Sequence, residues 1–310
     1  MIRALALALL AALATAPAAH AASPVGLTDG FYVDPDSNPA VWVRDHPTDG
    51  RQAAIKANIS TKPIARWFGA WSGDIRTAVS GYVAKTGTKL PVLVAYNIPG
   101  RDACGGHSGG GAGTPEAYRA WISSFASAIG TRPAVVVIEP DSLADFNCMD
   151  AGKVAERTAM IKYATEQFKA KAPNTWAYLD AGNAQWVPAA TMAARLDSAG
   201  VRTVRGFSIN VSNYHTTTAS TAYGDAVSGA LPGYTKPYVI DTSRNGNGHN
   251  GEWCNPGGRK LGAPARTGGG AEMLLWVKVP GDSDGRCGKA PGVDAGTFDP
   301  QLAFDLVYGY

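Results

Sequence analysis

Seven apolar runs recur along the chain at intervals of about 30 to 45 residues, and no other feature limits the fold as strongly. They are PIARWFG (63–69), LPVLVAYNIPGRD (90–102), AVVVIEPD (134–141), WAYLDAG (176–182), GFSINVSN (206–213), YVIDTSRNG (238–246) and MLLWVKVPGDSD (273–284). Several are continuous rather than alternating, which suits strands buried on both faces. Helical patterns lie between many of them. Residues 73–87 place Ile75, Val79, Tyr82 and Val83 on one stripe and stop at Gly87. Residues 114–130 open with Thr114 as a cap and Pro115 in the first helical position, and close at Gly130. Residues 150–172, 188–199 and 299–309 read as further helices, whereas 214–233 carries a weaker pattern. Strand and helix in alternation imply a parallel sheet with helices outside it. With seven strands and no dinucleotide-type glycine signature after the first, the expected architecture is α/β. A closed (β/α) barrel, TIM-like but distorted, is preferred to an open sheet.

The polar residues fall just after each run. They are Arg101 and Asp102, Glu139 and Asp141, Asp180 and Asn183, Asn210 and Asn213, Asp241 and Arg244, then Lys278, Asp282 and Asp284. In a β/α barrel these positions share the carboxyl-end face, where catalytic groups gather. Asp141 is the sharpest candidate, because it follows Pro140 directly at the end of an apolar strand. A carboxyl held near apolar walls resists ionisation and can serve as a general acid. An isolated aspartate after a strand is ordinarily a cap or turn residue. Here carboxylates recur at one strand end after another. Trp67, Trp71, Trp186, Trp253 and Trp276 lie at or just beyond strand ends; core packing accounts for Trp276, while Trp186 and Trp253 sit in polar loops. Flat aromatic faces suit the apolar faces of sugar rings, and acidic and amide groups suit their hydroxyl edges. A glycan ligand follows.

Charge and cysteine usage narrow the setting. The formal net charge is +3, or +2 without Arg3, and no basic run interleaved with aromatics occurs, so nucleic acid is not an expected partner. Residues 1–22 combine Arg3, an apolar run and small residues at Ala19–Ala21, the pattern of a secretory signal peptide. The rest, 23–310, reads as one domain, and no later apolar stretch reaches the ~18 residues of a membrane span. The chain is expected to be exported, to keep clear of membranes and to act as a monomer. Cys104, Cys148, Cys254 and Cys287 form an even set, which in an exported chain favours disulfides with three connectivities open. Zinc is disfavoured, since Cys104–His107 is the only tight pair of possible ligands. The glycine-rich stretch 104–113 lacks the Gly-Lys-Ser/Thr ending of a phosphate loop and reads as a loop beside the site.

Two motifs carry a family resemblance. VVIEPDSLA (136–144) and VAYNIPGRDAC (94–104) resemble the signatures of glycoside hydrolase family 6, the β-1,4-glucan endoglucanases and cellobiohydrolases. In the second, Ala103 displaces the cysteine by one place. YLDAGNAQW (178–186), VIDTSRNGNG (239–248), EWCNPGGR (252–259) and LWVKVPGDSDG (275–285) extend the likeness across nearly the whole of 23–310. The resemblance implies a distorted barrel and hydrolysis with inversion, without metal or organic cofactor. It places the general acid on Asp141, the aspartate that assists it on Asp102, a further site aspartate on Asp180 and the candidate base on Asp284. Tyr96 and Ser108 fall beside Asp102, and Lys278 and Trp253 on glucose contacts. Trp186 falls on a platform at the leaving-group side and Trp67 on one at the other side. Asn183 stands where some members have histidine, and Asp282 where they have glutamate; both bear on substrate affinity.

The expected partner is therefore a β-1,4-glucan chain such as cellulose or a cello-oligosaccharide. The resemblance implies that a cellobiohydrolase would roof the cleft with two long loops, one of them between the last strand and the final helix; only 14 residues separate Asp284 from Asp299 here, too few for such a roof, so endo cleavage is expected over the cellobiohydrolase alternative. A non-catalytic glycan-binding barrel is the third reading, and it would require Asp141 or Asp102 to be missing. Chain order puts Cys104 and Cys148 after neighbouring strands, and Cys254 and Cys287 after another such pair, so these are the expected bridges.

Overall fold

The structure, a computed structural model, describes residues 23–106 and 108–310; the expected signal peptide and His107 lie outside the described residues. Eight strands form one sheet: β1 (Arg66–Phe68), β2 (Val92–Ala95), β3 (Ala134–Ile138), β4 (Thr175–Asp180), β5 (Gly206–Ile209), β6 (Tyr238–Asp241), β7 (Arg266–Thr267) and β8 (Met273–Leu275). Their order is β1-β2-β3-β4-β5-β6-β8-β7. The seven strands expected from the apolar runs are all parallel, and β7 is an added antiparallel flank on β8.

Complete closure is the part of the expectation that needs correction. β7 occupies part of the β8 edge that β1 would have to fill, pairing Arg266 with Leu274 and Thr267 with Met273. Among the described residues, what joins the two ends of the sheet is one backbone bond, Ala65 N–H to Trp276 O at 2.9 Å, with the Trp67 indole N–H on Val277 O at 2.7 Å. The result is a curled sheet with a loosely stitched seam between β1 and β8.

Helices cover the outer face: α1 (Asn38–Asp45), α2 (Gln52–Ile55) with a π turn over Lys56–Ser60, α3 (Ile75–Lys85), α4 (Pro115–Ile129), α5 (Ala151–Lys171), α6 (Ala189–Ser198), α7 (Thr217–Gly229) and α8 (Pro300–Tyr308). Their starts are set locally. Asp74, Thr114, Asp150, Thr216 and Asp299 each accept a backbone N–H of the first turn, and Pro115 and Pro300 supply the fixed φ that begins a helix.

The continuous apolar strands divide between two cores by the two-residue period of a strand. Val92, Val94, Val135, Val137, Tyr178 and Val239 point inward and form one cluster with Tyr96 and Val211. Leu93, Ala95, Val136, Ile138, Leu179 and Phe207 point outward against Ile122, Phe125, Ile161 and Phe168 of α4 and α5. Each fully buried valine or leucine contributes roughly 1.5–3 kcal/mol relative to exposure. A charge at Val137 would sit inside the inner cluster with no partner, which makes that position intolerant. A third cluster packs Val43, Ile55 and Ile59 against Trp276 and Ala303, so Trp276 is a core residue placed just after β8.

Candidate active site

At the carboxyl ends of the strands the loops enclose a cleft of about 1120 Å³. It is lined by Trp67, Tyr96, Asp102, Ser108, Asp141, Asn183, Trp186, Trp253, Lys278, Asp282 and Asp284. Of the catalytic and substrate-binding residues expected from sequence, only Asp180 is not among its walls.

The turn after β3 explains why the strand ends on Glu-Pro-Asp. Glu139 and Asp141 both have left-handed backbone, with φ of 49° and 71°. Such conformations cost about 1–3 kcal/mol each and persist only where the surroundings hold them. Glu139 is fully buried, and its carboxyl accepts the backbone N–H groups of Asn97 (3.0 and 2.9 Å) and Ile98 (2.9 Å). Burial raises Glu139 to about 7 against the pull of those bonds. It fastens the β2 loop to the β3 turn and does not face the cleft. Asp141 is fixed on both sides, its N–H on Asp180 Oδ2 at 2.9 Å and its carbonyl accepting Asp145 N–H at 2.9 Å.

Asp180 lies beneath Asp141 at 2% exposure. Its Oδ2 also takes Gly182 N–H at 3.0 Å, and its Oδ1 takes the Ser208 hydroxyl at 3.1 Å. Burial lifts Asp180 to about 7 in spite of these bonds. Asp141 is raised well above the ordinary carboxyl range, first by burial and then by the carboxylates of Asp180, Asp145 and Asp102, with Lys278 opposing. Burial and these charges thus shift the carboxyl that faces the cleft toward its protonated form.

Asp102 sits in a tight turn, φ 57°, whose carboxylate accepts Gly105 N–H (3.1 Å), Ser108 N–H (2.6 Å) and the Ser108 hydroxyl (3.1 Å). Ser108 Oγ is in turn 2.9 Å from the Tyr96 hydroxyl. The glycine-rich loop expected here is pinned at its base by Gly100 N–H on Gly110 O (3.0 Å) and Ala112 N–H on Asn97 O (2.8 Å). From below, Asp145 takes the N–H groups of Ala103 (2.9 Å) and Cys104 (3.3 Å) and pairs with Arg157 at 3.2 Å. Cys104 and Cys148 are bonded across the same two loops, and Cys254 and Cys287 are bonded on the other side of the cleft.

On that side Asp284, 8% exposed, is held by two cations, Arg244 Nη1 at 2.8 Å and Lys278 Nζ at 3.1 Å. The Tyr214 hydroxyl and the Asn255 N–H donate to it at 3.1 Å each. Burial opposes its ionisation, but the charges of Arg244 and Lys278 and the bonds from Arg244 and the Asn255 N–H outweigh burial and hold the carboxyl below the usual range. Asp241 pins the region from beneath by accepting the N–H groups of Ser212, Ser243, Val277 and Lys278. Asp282 receives both bonds of the Asn38 amide, at 3.1 and 2.9 Å, and burial raises it to about 7. Asn183 is turned partly to its own loop, accepting Gln185 N–H at 3.0 Å.

Sequence reasoning left out Tyr214, Asn255, Asp145 and Arg157. Tyr214 follows β5 closely and could have been found by the same strand-end rule. Arg157 could not, since it lies inside a helix among many charged residues and only the fold shows it at 2% exposure. The arrangement pairs a carboxyl pushed toward protonation after β3 with one held toward ionisation after β8, with β4, β5 and β6 between them in the sheet. Such a pair can donate a proton at one point and stabilise positive charge or orient water at another.

A profile described as Glycosyl hydrolases family 6 matches residues 28–308. Endoglucanase 1 of Streptomyces halstedii is 59% identical over 304 residues, 96% of this chain and 95% of its own. Endoglucanase A of Thermobispora bispora is 42% identical over 308 residues, of which the chain spans 65% of that protein's length. Among solved structures, the endoglucanase Cel6 of Mycobacterium tuberculosis, in complex with methyl-cellobiosyl-4-deoxy-4-thio-β-D-cellobioside, superposes with a TM-score of 0.85 at 39% identity. That match covers 93% of this chain and 99% of the other.

Proposed function

The chain belongs to glycosyl hydrolase family 6, and on that premise we propose that it is an exported, monomeric endo-β-1,4-glucanase acting by inversion. The observation that carries the reading is one cleft with two carboxyls in opposite settings: Asp141 is seated over buried Asp180 and raised, and Asp284 is clamped by Arg244 at 2.8 Å and Lys278 at 3.1 Å and lowered. Asp141 gives its proton to the glycosidic oxygen as the bond to the anomeric carbon breaks. Water adds to the opposite face of that carbon, giving the inverted product. Asp102 adds its nearby charge to burial and to the charges of Asp180 and Asp145 in raising Asp141 and, with Ser108 and Tyr96, lines the same wall. Asp180 acts from beneath as a positioning residue.

Asp284 fits a modified form of the base role. A carboxylate so firmly paired with Arg244 and Lys278 attracts a proton weakly, because efficient bases have pKa values near the working pH. It orients water and offsets the charge that develops on the sugar ring, and the proton leaves through solvent in the cleft. Trp67, Trp186 and Trp253 offer ring faces to glucosyl units, and Lys278, Asn183 and Asp282 offer polar groups to their hydroxyls.

Endo action is supported by the loop after β8. It folds back on itself through Ser283 N–H on Thr297 O and Gly296 N–H on Ser283 O, both 2.9 Å, and is tied down by Cys254–Cys287. A glucan chain can therefore enter from the side. No described helix is long and apolar enough to cross a membrane. Carboxymethyl cellulose tests the reading: viscosity should fall well before many reducing ends accumulate, and proton NMR of early products should show the α-anomer. Slow viscosity loss with cellobiose as the sole early product would favour the exo alternative.

A further inference from the structure

Trp71 has no part in the site as described so far, yet it lines the same cleft and is 57% exposed. It stands in a single tight turn, Ala70–Ser72, just after β1. That turn is closed by Ser72 N–H on Gly69 O at 3.0 Å and by Gly69 N–H on Ser72 Oγ at 3.1 Å. The indole rests against Gly69 so closely that a Cβ there would stand 2.3 Å from Trp71 Cζ3. Only glycine admits the ring in this position.

The ring is also backed by a cation. The Arg101 guanidinium carbon lies 5.3 Å from the Trp71 ring centroid and 4.7 Å from that of Tyr96. Arg101 is itself fixed, donating from Nε to Ser108 O at 2.8 Å. Trp67 meets Tyr96 edge-on at 5.3 Å. Trp67, Tyr96, Arg101 and Trp71 thus form one continuous wall that begins at the Asp102 cluster and ends at the rim. A large apolar ring that is packed against Gly69 and Arg101, exposed, and outside every core cluster is placed to meet a ligand.

We infer that Trp71 is an additional glucan-binding platform at the rim of the cleft, on the Trp67 side. It stacks on a glucosyl ring farther from the scissile bond than those held at Asp141. The inference rests on the glucanase reading and adds a determinant of chain length to it. Binding energy at a remote unit is expressed in kcat/KM only for substrates long enough to reach it.

The test is the hydrolysis of cellotriose through cellohexaose by the natural chain, Trp71→Ala and Trp71→Phe. For Trp71→Ala, kcat/KM on cellohexaose should fall about 3- to 10-fold, the size of one aromatic stacking contact. The shortest oligosaccharide that is cut should be cleaved as before, and the bond preferred in cellohexaose should move. Trp71→Phe, which keeps a ring, should retain most of the rate, and both variants should keep the melting temperature. Equal losses at every length would mean that Trp71 only supports the wall, and would overturn the inference. So would an unchanged rate and cleavage pattern on cellohexaose. A natural chain inert on every oligosaccharide and on carboxymethyl cellulose would overturn the glucanase reading, and this inference with it.

Discussion

Replacing Arg157 by methionine tests whether the catalytic loops are held from beneath. Arg157 and Asp145 are 2% and 1% exposed and meet at 3.2 Å. The other arm of the guanidinium donates to Gly100 O at 2.5 Å and Pro99 O at 3.2 Å. Methionine keeps much of the volume and removes the charge, so it leaves Asp145 buried opposite two backbone N–H groups and two carbonyls without their donor. Breaking a buried ion pair from one side costs about 3–5 kcal/mol. Against a total stability of roughly 5–15 kcal/mol this is a large share. At about 2–4 °C per kcal/mol for a domain somewhat smaller than this one, the melting temperature should fall by some 6–20 °C. Because Asp145 also carries Ala103 and Cys104, the turn presenting Asp102 should shift, and a misplacement near 1 Å costs up to about 100-fold in rate. Thermal unfolding by circular dichroism and kcat on cellohexaose, measured below the new melting temperature, report the two effects. Leucine at 145 added to methionine at 157 should restore only part of the stability, since the loop N–H groups stay unpaired. A shift under about 3 °C with kcat intact would refute the reasoning.

Asp141→Ala should lower kcat on cello-oligosaccharides by at least about 10²–10⁴, the usual contribution of a positioned acid, while sparing glucosides of acidic phenols, which leave unprotonated. Equal losses on both substrates in a stably folded variant would remove Asp141 from the acid role. Asp180→Asn keeps the shape, because its oxygen can take the Asp141 and Gly182 N–H groups while its amide donates to Ser208. It removes a negative charge that raises Asp141, so Asp141 should lose its proton at lower pH. The alkaline limb of kcat should move toward acid; a limb that stays in place would contradict the coupling. The 33-residue separation of Cys254 and Cys287 corresponds to about 4 kcal/mol of chain entropy. Replacing both by serine should therefore lower the melting temperature, and the endo pattern should weaken if the 285–298 loop comes loose.

How far the chain could be read without its fold depends on how near each partner lies in sequence. The parallel strands, the Thr114–Pro115 and Asp299–Pro300 helix starts and the clustering of polar groups after each strand are local or periodic signals. They suffice for an α/β chain with its site at the strand ends. The weak pattern over 214–233 is informative in the opposite way. A segment rich in threonine, serine and glycine has little helical preference, and α7 forms because Thr216 caps it and Tyr223 and Val227 are buried. Similarly, an unbroken run such as AVVVI cannot say which valines face inward until neighbouring strands fix the register.

The EPD motif singled out Asp141, but not what makes it an acid. That depends on burial and on Asp180, Asp145 and Asp102, of which Asp180 and Asp102 come from the strand ends on either side. The same holds for Asp284. Alone it reads as one more strand-end aspartate; its ionised state is decided by Arg244, 40 residues away in sequence, together with nearby Lys278 and the Asn255 N–H, 29 residues away. Glu139 and Asp141 are two residues apart in one motif, yet one is buried against the β2 loop and the other opens to the cleft. Sequence determined which residue types stand at the strand ends. Their protonation states and roles were decided by the tertiary structure, since a carboxyl's charge depends on burial and on neighbours that only folding brings within a few ångströms.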